Sequence, residues 1–421
     1  MENIKRILRA STLKQSLIVF SGSIVNGALG AMFYISLAKF LGPADFGLFI
    51  VSIAFLTLVA DIVDFGTNTG LVRFVSGQVA INEEKALRFL KISLEIKLIA
   101  WGLVLLIGYL LVPFVAKEIF QKEILITPLR LSLIGVGGAL LFSFATSALQ
   151  AFQKFSTWSI LNISSNFLRL GLIFILFFSQ QLNLLSGLVT YITLPFLGFF
   201  LALALLPTKK FLTVSGQNEV SKELFNYNKW VALSTIFAAV SSRLDTFLTA
   251  RLLTANELGI YGAANQLTAI MPQLVGALGT VVAPKFASFT SLEGMLSYFK
   301  KIQLMIIIIV TLGLTIIPIS FFVLPLLFGK GYEAMVLPFG ILFLAMLVFL
   351  LALPMQSSIY YFFGKPKFFA YLSFIQLLFL GFLGNILISK YGIIGAAFTV
   401  LLGMIFSLIF SWIGFLKFIK R

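Results

Sequence analysis

The sequence predicts an all-α integral membrane protein of twelve transmembrane helices, arranged as two six-helix lobes related by a pseudo-twofold axis along the membrane normal. Three observations predict it. The 421 residues are 60% hydrophobic and only 11% charged, with a mean hydropathy of +1.06, far beyond the roughly 45–50% apolar content of a soluble domain. Uncharged runs of bilayer-spanning length, about 20 residues, recur along the whole chain. The chain also matches itself at a constant offset of 212 positions, so that Gly47 lies over Gly259.

Eight spans are direct: Gln15–Ala38, Leu98–Ala116, Leu131–Gln153, Leu258–Pro284, Ile302–Gly329, Ala334–Gly364, Phe368–Ser389 and Tyr391–Leu416. Leu170–Thr208 is too long for one span and is interrupted by Ser179-Gln180-Gln181-Leu182-Asn183, so it holds the end of the fifth helix and the whole of the sixth. Gly47–Gly70, with Asp61 and Asp64, and Trp230–Ala250, with Arg243 and Asp245, supply the second and seventh helices. This gives an N-lobe over 1–207, a cytoplasmic linker over 208–225 and a C-lobe over 226–421. The first run is too long for a signal peptide's core and lacks a convincing small-residue cleavage site, so it is read as a retained span.

The charge balance, 31 Lys+Arg against 15 Asp+Glu for a net +16, would suggest nucleic acid in a soluble protein. Placement argues otherwise. With the amino terminus inside, only Lys39, Lys117, Lys122, Arg251, Lys330 and Lys390 fall outside, and Lys97, Arg130, Arg169 and Arg243 fall within spans. The remaining 21 of the 31 basic residues are cytoplasmic. The positive-inside rule therefore places both termini in the cytoplasm, and no nucleic-acid partner is needed. Ile4–Arg9 reads equally as a short basic amphipathic helix on the inner leaflet and as a topology anchor. Trp158, Trp230 and Trp412 lie near cytoplasmic helix ends, where interfacial indoles belong. Cysteine and histidine are both absent, which removes disulfides, thiolate nucleophiles, imidazole metal sites and histidine proton relays. No cofactor or metal is called for.

The internal match is specific. Ala38–Phe49 lies over Ala250–Tyr261, and Arg73-Phe74-Val75-Ser76 over Lys285-Phe286-Ala287-Ser288. Each half holds an even number of helices, so both insert with the same orientation. Transporters place their substrate pathway between such repeats. Within the match, Pro43 suits a turn, Asp45 the start of the next helix, and Gly47 close packing. Turn chemistry accounts for the motif without a ligand. Gly135-Val136-Gly137-Gly138 likewise reads as close helix packing.

The segment Leu41-Gly42-Pro43-Ala44-Asp45-Phe46-Gly47-Leu48-Phe49, followed by Asp64-Phe65-Gly66 and Leu71-Val72-Arg73-Phe74, resembles the amino-terminal signature of the polysaccharide-transporter family. That family includes the O-antigen flippases and belongs to the superfamily of multidrug and toxin extrusion transporters and the peptidoglycan-precursor flippase. The second-half echo Glu257-Leu258-Gly259-Ile260-Tyr261 resembles it too. The resemblance implies a V-shaped transporter that carries an undecaprenyl-pyrophosphate-linked oligosaccharide across the membrane by alternating access, for cell-surface polysaccharide biosynthesis. The two further carboxyl-terminal helices usual in the peptidoglycan-precursor flippase are lacking, which favours the polysaccharide branch.

Charged side chains at mid-membrane cost about 2.5–3.5 kcal/mol each and normally face a cavity or a partner. Asp61, Asp64 and Asn68 (i, i+3, i+7) share a face of the second helix, and Asn162, Asn166 and Arg169 (i, i+4, i+7) a face of the fifth. Arg243 and Asp245 are two apart, about 200° around the seventh helix, so each needs a partner elsewhere. Asn26 adds hydrogen-bonding capacity in the first helix. In the functional reading Arg169, Arg243 and Arg130, with Asn162, Asn166 and Asn26, bind a substrate pyrophosphate and its sugars, since guanidinium is a planar donor fork that stays charged. The carboxylates Asp61, Asp64 and Asp245 would couple transport to H⁺ or Na⁺. In the structural reading the arginines are struts paired with those same carboxylates, and Arg130 simply snorkels. Glu95, four residues after Lys91, reads as a surface pair beside Lys97 at the cytoplasmic end of the third helix.

The expected partners are thus a lipid-linked oligosaccharide, membrane lipids and a coupling cation. The alternative is a cation-coupled multidrug exporter of the same superfamily. A membrane-embedded glycosyltransferase or polymerase would need clustered carboxylates or histidine and a sizeable extramembrane loop, so the chain is not read as an enzyme.

Overall fold

The computed structural model describes residues 11–420 and is helical throughout, with no strand among the described residues. The basic segment Ile4–Arg9 lies outside the described residues. The first helical stretch, Ser11–Val63, is broken at Gly42 (φ 77°, ψ 167°) into α1 (11–41) and α2 (43–63). Pro43 follows the break, where its missing N–H costs nothing. Then come α3 (Thr67–Gln78), α4 (Glu83–Phe114), α5 (Ile126–Ala151), α6 (Phe155–Phe178), α7 (Leu184–Leu205), the short α8 (Thr208–Thr213), α9 (Gln217–Ser241), α10 (Leu244–Leu252), α11 (Ala255–Thr268), α12 (Ile270–Ala287), α13 (Leu292–Leu314), α14 (Ile316–Phe328) and α15 (Val336–Ser357). The last stretch, Pro366–Ile419, is broken at Gly392 (φ 58°) into α16 (366–391) and α17 (393–419). Both breaks use the positive φ that glycine alone adopts without strain.

By length and apolarity eight helical stretches among the described residues are able to cross a membrane, and nine if α9 and α10, bent by 40°, form one span. Two of the eight, Ser21–Val63 and Lys367–Ile419, are 43 and 53 residues long, about twice what a 30 Å hydrocarbon core needs, and each contains one of the glycine breaks. The expected span Leu258–Pro284 is covered by α11 and α12, which abut at Ala269. The chain is a multi-pass membrane protein.

It divides into two compact units: the described residues up to Phe40 with Leu48–Ala239, and Leu41–Gly47 with Val240–Arg421. In the first, α5 is the central helix, packed on α3, α4, α6 and α7. Its glycines make this possible: a Cβ on Gly135 would strike Leu56 and Ile192, one on Gly137 Trp101, and one on Gly138 Phe196. Phe89, Phe144, Phe199 and Phe211 complete that core. Its neighbour α4 turns Ile99, Leu103, Leu106 and Leu110 outward, as a lipid-facing helix does. In the second unit α15 has the central role, against α11, α12, α13 and the stretch Pro366–Ile419. Each central helix is entered through a 3₁₀ turn beginning with glutamate, Glu123–Leu125 and Glu333–Met335. The repeat therefore extends beyond the motif that disclosed it.

The second unit also takes in the Leu41–Gly47 turn. A Cβ on Gly47 would lie 2.3 Å from the Ala255 carbonyl oxygen, and one on Gly259 1.7 Å from that of Pro43. Thr254 and Glu257 cap α11 reciprocally.

Candidate functional site

Each unit contains a polar cavity among apolar helices. In the first it measures about 390 Å³, and its polar lining is Thr57 from α2, Ser143, Thr146 and Gln150 from α5, Trp158, Asn162 and Arg169 from α6, and Tyr191 from α7. Ser143, Thr146 and Gln150 stand at i, i+3, i+7, one face of α5, and Gly135 of the same helix also borders the cavity.

Arg169 is the only formal charge in that lining. Its Nη1 donates to Asn166 Oδ1 (3.0 Å), and its guanidinium carbon lies 4.1 Å from the Tyr191 ring centroid and 5.5 Å from that of Phe33. Asn166 Nδ2 in turn donates to Asn26 Oδ1 (2.7 Å). Among the described residues Arg169 makes no ion pair, and its Nε is buried with no hydrogen-bond partner. The fork is therefore oriented by aromatic stacking and an amide, and no carboxylate neutralises it. The strut reading of Arg169 is thereby corrected. Asn162, Asn166 and Arg169 lie along one helix as their spacing implied, and Asn26, which no spacing linked to them, joins through Asn166; only Asn162 and Arg169 reach the cavity wall.

The second-helix reading needs a larger correction. Asp61, Asp64 and Asn68 do not share the face of one helix, because the chain breaks between α2 and α3. Phe65 (φ 50°) and Gly66 (φ 69°) are left-handed there. Asp64 sits at the break, where its carboxylate accepts from Thr67 Oγ1 (2.9 Å) and from the Asn68 backbone N–H (3.3 Å), serving the unpaired amides at the start of α3. Its ion-pair partner is Lys97, fully buried in α4, whose Nζ donates to Asp64 Oδ1 and lies 3.4 Å from Ser143 Oγ. Lys97 is thus an interior cation and not part of a surface cluster. Asp61 is half-buried on α2.

In the second unit a cavity of about 330 Å³ is lined by Ser241, Ser242, Asp245, Asn265, Gln266, Thr268 and Thr399 together with apolar residues. Asp245 accepts from the Tyr261 hydroxyl (2.5 Å) and from Asn265 Nδ2 (3.3 Å). Arg243 stands at the α9–α10 break, its Nη1 3.2 Å from Ser242 Oγ. Arg130 lies over the Tyr109 ring at 4.1 Å and is not among the residues lining either cavity. Among the described residues no cluster of acidic side chains could hold a metal ion.

Apolar helices in two units, each with an ionisable side chain in a cavity wall, make a multi-pass membrane protein of the transporter kind, and similarity to known proteins says which fold it has. The chain belongs to the polysaccharide biosynthesis protein family, whose profile it matches over residues 12–290. Its fold is similar to that of the lipid II flippase MurJ in an inward closed conformation (TM-score 0.77, 14% identity, 96% of this chain and 90% of that one). It is similar also to an inward-facing multidrug resistance MATE transporter (TM-score 0.74, 13% identity, 96% and 98%), and to a superfamily transporter from Pyrococcus furiosus (TM-score 0.63, 14% identity, 97% and 96%). No curated protein matches the chain in sequence.

Proposed function

We propose that the protein is a flippase that translocates an undecaprenyl-pyrophosphate-linked oligosaccharide across the cytoplasmic membrane, both its termini being cytoplasmic. The observation that carries this reading is Arg169, a guanidinium held without a carboxylate partner in a cavity wall rich in amides and hydroxyls. Such a site suits a diphosphate with sugars attached, because the fork takes phosphate oxygens in pairs while Asn162, Gln150, Ser143 and Thr146 can exchange hydrogen bonds with sugar hydroxyls. Arg243, from the second unit, supplies a further cation. A diphosphate bound differently by two states of the transporter shifts their populations, as alternating access requires. Asp245, with Asp61 and Asp64, is the candidate coupling set for H⁺ or Na⁺.

A second reading, a cation-coupled multidrug exporter, draws on Asp245, since a carboxylate in a partly apolar cavity suits a cationic drug. Reconstituted vesicles separate the two. A flippase moves a fluorescent undecaprenyl-pyrophosphate oligosaccharide between leaflets and leaves a cationic dye alone; an exporter does the reverse.

A further inference from the structure

We infer that Lys97 is a second, switchable cation of the first unit's cavity: it rests on Asp64 when the cavity holds no anion and turns past Ser143 to join Arg169 when a diphosphate enters. This rests on the reading above that the cargo carries a diphosphate. Lys97 is fully buried in α4, and its ammonium already has a contact on each side. One is Asp64 at the α2–α3 break; the other is Ser143 Oγ at 3.4 Å, which lines the cavity one turn from Thr146.

Asp64 has other partners in place. Thr67 Oγ1 and the Asn68 N–H both donate to its carboxylate, so the loss of Lys97 leaves it hydrogen-bonded. The lysine stem is flexible and its three donors rotate, so the move from Asp64 toward the cavity is a rotamer change within α4. Arg169, locked on Tyr191 and Asn166, is by contrast the fixed donor. The pair also joins α4 to a backbone break whose Phe65 and Gly66 are both left-handed, so removal of Lys97 from Asp64 unties α4 from that break at the moment the anion binds. Anion occupancy thereby acts on a segment able to change direction.

A fixed strut predicts something different. A buried pair can be replaced by neutral groups with little effect, whereas removal of one member strands the other. The discriminating measurement is the affinity of the purified full-length protein for inorganic pyrophosphate, by titration calorimetry. Asp64→Asn, which releases Lys97, should bind pyrophosphate about tenfold tighter than wild type, a shift calorimetry resolves readily. The double variant Asp64→Asn/Lys97→Met, which strands no charge, should elute as a folded monodisperse protein and bind more weakly than wild type. Unchanged or weakened binding by Asp64→Asn, or wild-type binding by the double variant, overturns the switch. Arg169→Ala separates the two levels of the argument. If it abolishes binding while the Asp64 and Lys97 variants bind as wild type, the switch is wrong and the diphosphate reading stands. If neither wild type nor Asp64→Asn binds pyrophosphate, both fall.

Discussion

Gly47 and Gly259, related by the 212-residue repeat, each press a bare Cα against the helix start that carries the other. Gly47 meets the carbonyl of Ala255, and Gly259 meets that of Pro43, the residue 212 positions before Ala255. The contact is reciprocal, as in a self-complementary interface. An alanine at either position forces backbone to move, and overpacking of this kind typically costs about 1–3 kcal/mol. Gly47→Ala and Gly259→Ala should therefore lower the thermal midpoint of the purified protein. Gly30→Ala and Gly77→Ala, whose added Cβ would meet nothing within 4 Å, should leave it unchanged or raise it, by up to about 1 kcal/mol of helix propensity.

Much of this fold was legible because hydropathy and a repeat are properties of the sequence itself. The glycine run of α5 also announced its packing, with Gly137 against Trp101. The break at Asp64–Gly66 was not legible: the second helix contains no proline there, and the i, i+3, i+7 spacing of Asp61, Asp64 and Asn68 assumes an unbroken helix. Lys97 was missed for a related reason. It stands one residue before the uncharged run that begins at Leu98, so hydropathy places it at the very end of a span, beside Glu95, whereas the packing of α4 in the first unit buries it completely. Its signal was indirect, an unpaired Asp64 in a neighbouring span. The Ser143, Thr146, Gln150 stripe was available from spacing alone. Tyr191 and Tyr261 carried no mark to separate them from other aromatics until Arg169 and Asp245 were seen beside them.

Lys97→Met alone removes the charge that balances Asp64 but leaves its carboxylate hydrogen-bonded to Thr67 and Asn68, so the loss should fall below the ~3–5 kcal/mol of a fully stranded buried charge. The substitution should reduce the yield and thermal stability of the purified protein, and Asp64→Asn added to it should restore most of the loss. A thermal-unfolding comparison of the two variants checks this; equal stability would mean that the pair is hydrated.

Tyr261→Phe removes the shorter of the two hydrogen bonds to Asp245 and keeps the ring. Hydrogen bonds to charged groups contribute about 1.5–3 kcal/mol, so a measurable drop in thermal stability is expected. If Asp245 couples transport to an ion, Asp245→Asn should leave substrate flipping insensitive to an imposed H⁺ or Na⁺ gradient. Unaltered gradient dependence in that variant removes Asp245 from the coupling set.

Arg243→Ala should impair flipping, and Arg169→Lys should retain only part of the wild-type rate, because an ammonium keeps the charge but loses the planar fork and its stacking on Tyr191. Initial rates in vesicles of matched protein content provide the check. Full activity in Arg169→Lys would mean that the site needs charge and not geometry.

The central claim is that the first unit's cavity takes a diphosphate-linked glycolipid through Arg169. It is tested most directly by flipping of a fluorescent undecaprenyl-pyrophosphate oligosaccharide in vesicles containing wild type or Arg169→Ala, with both proteins shown to be folded by the same melting profile. Wild type should translocate the lipid rapidly and the variant about tenfold or more slowly, equivalent to about 1.4 kcal/mol or more of lost stabilisation. Equal rates from the two proteins, or translocation by neither, would contradict it.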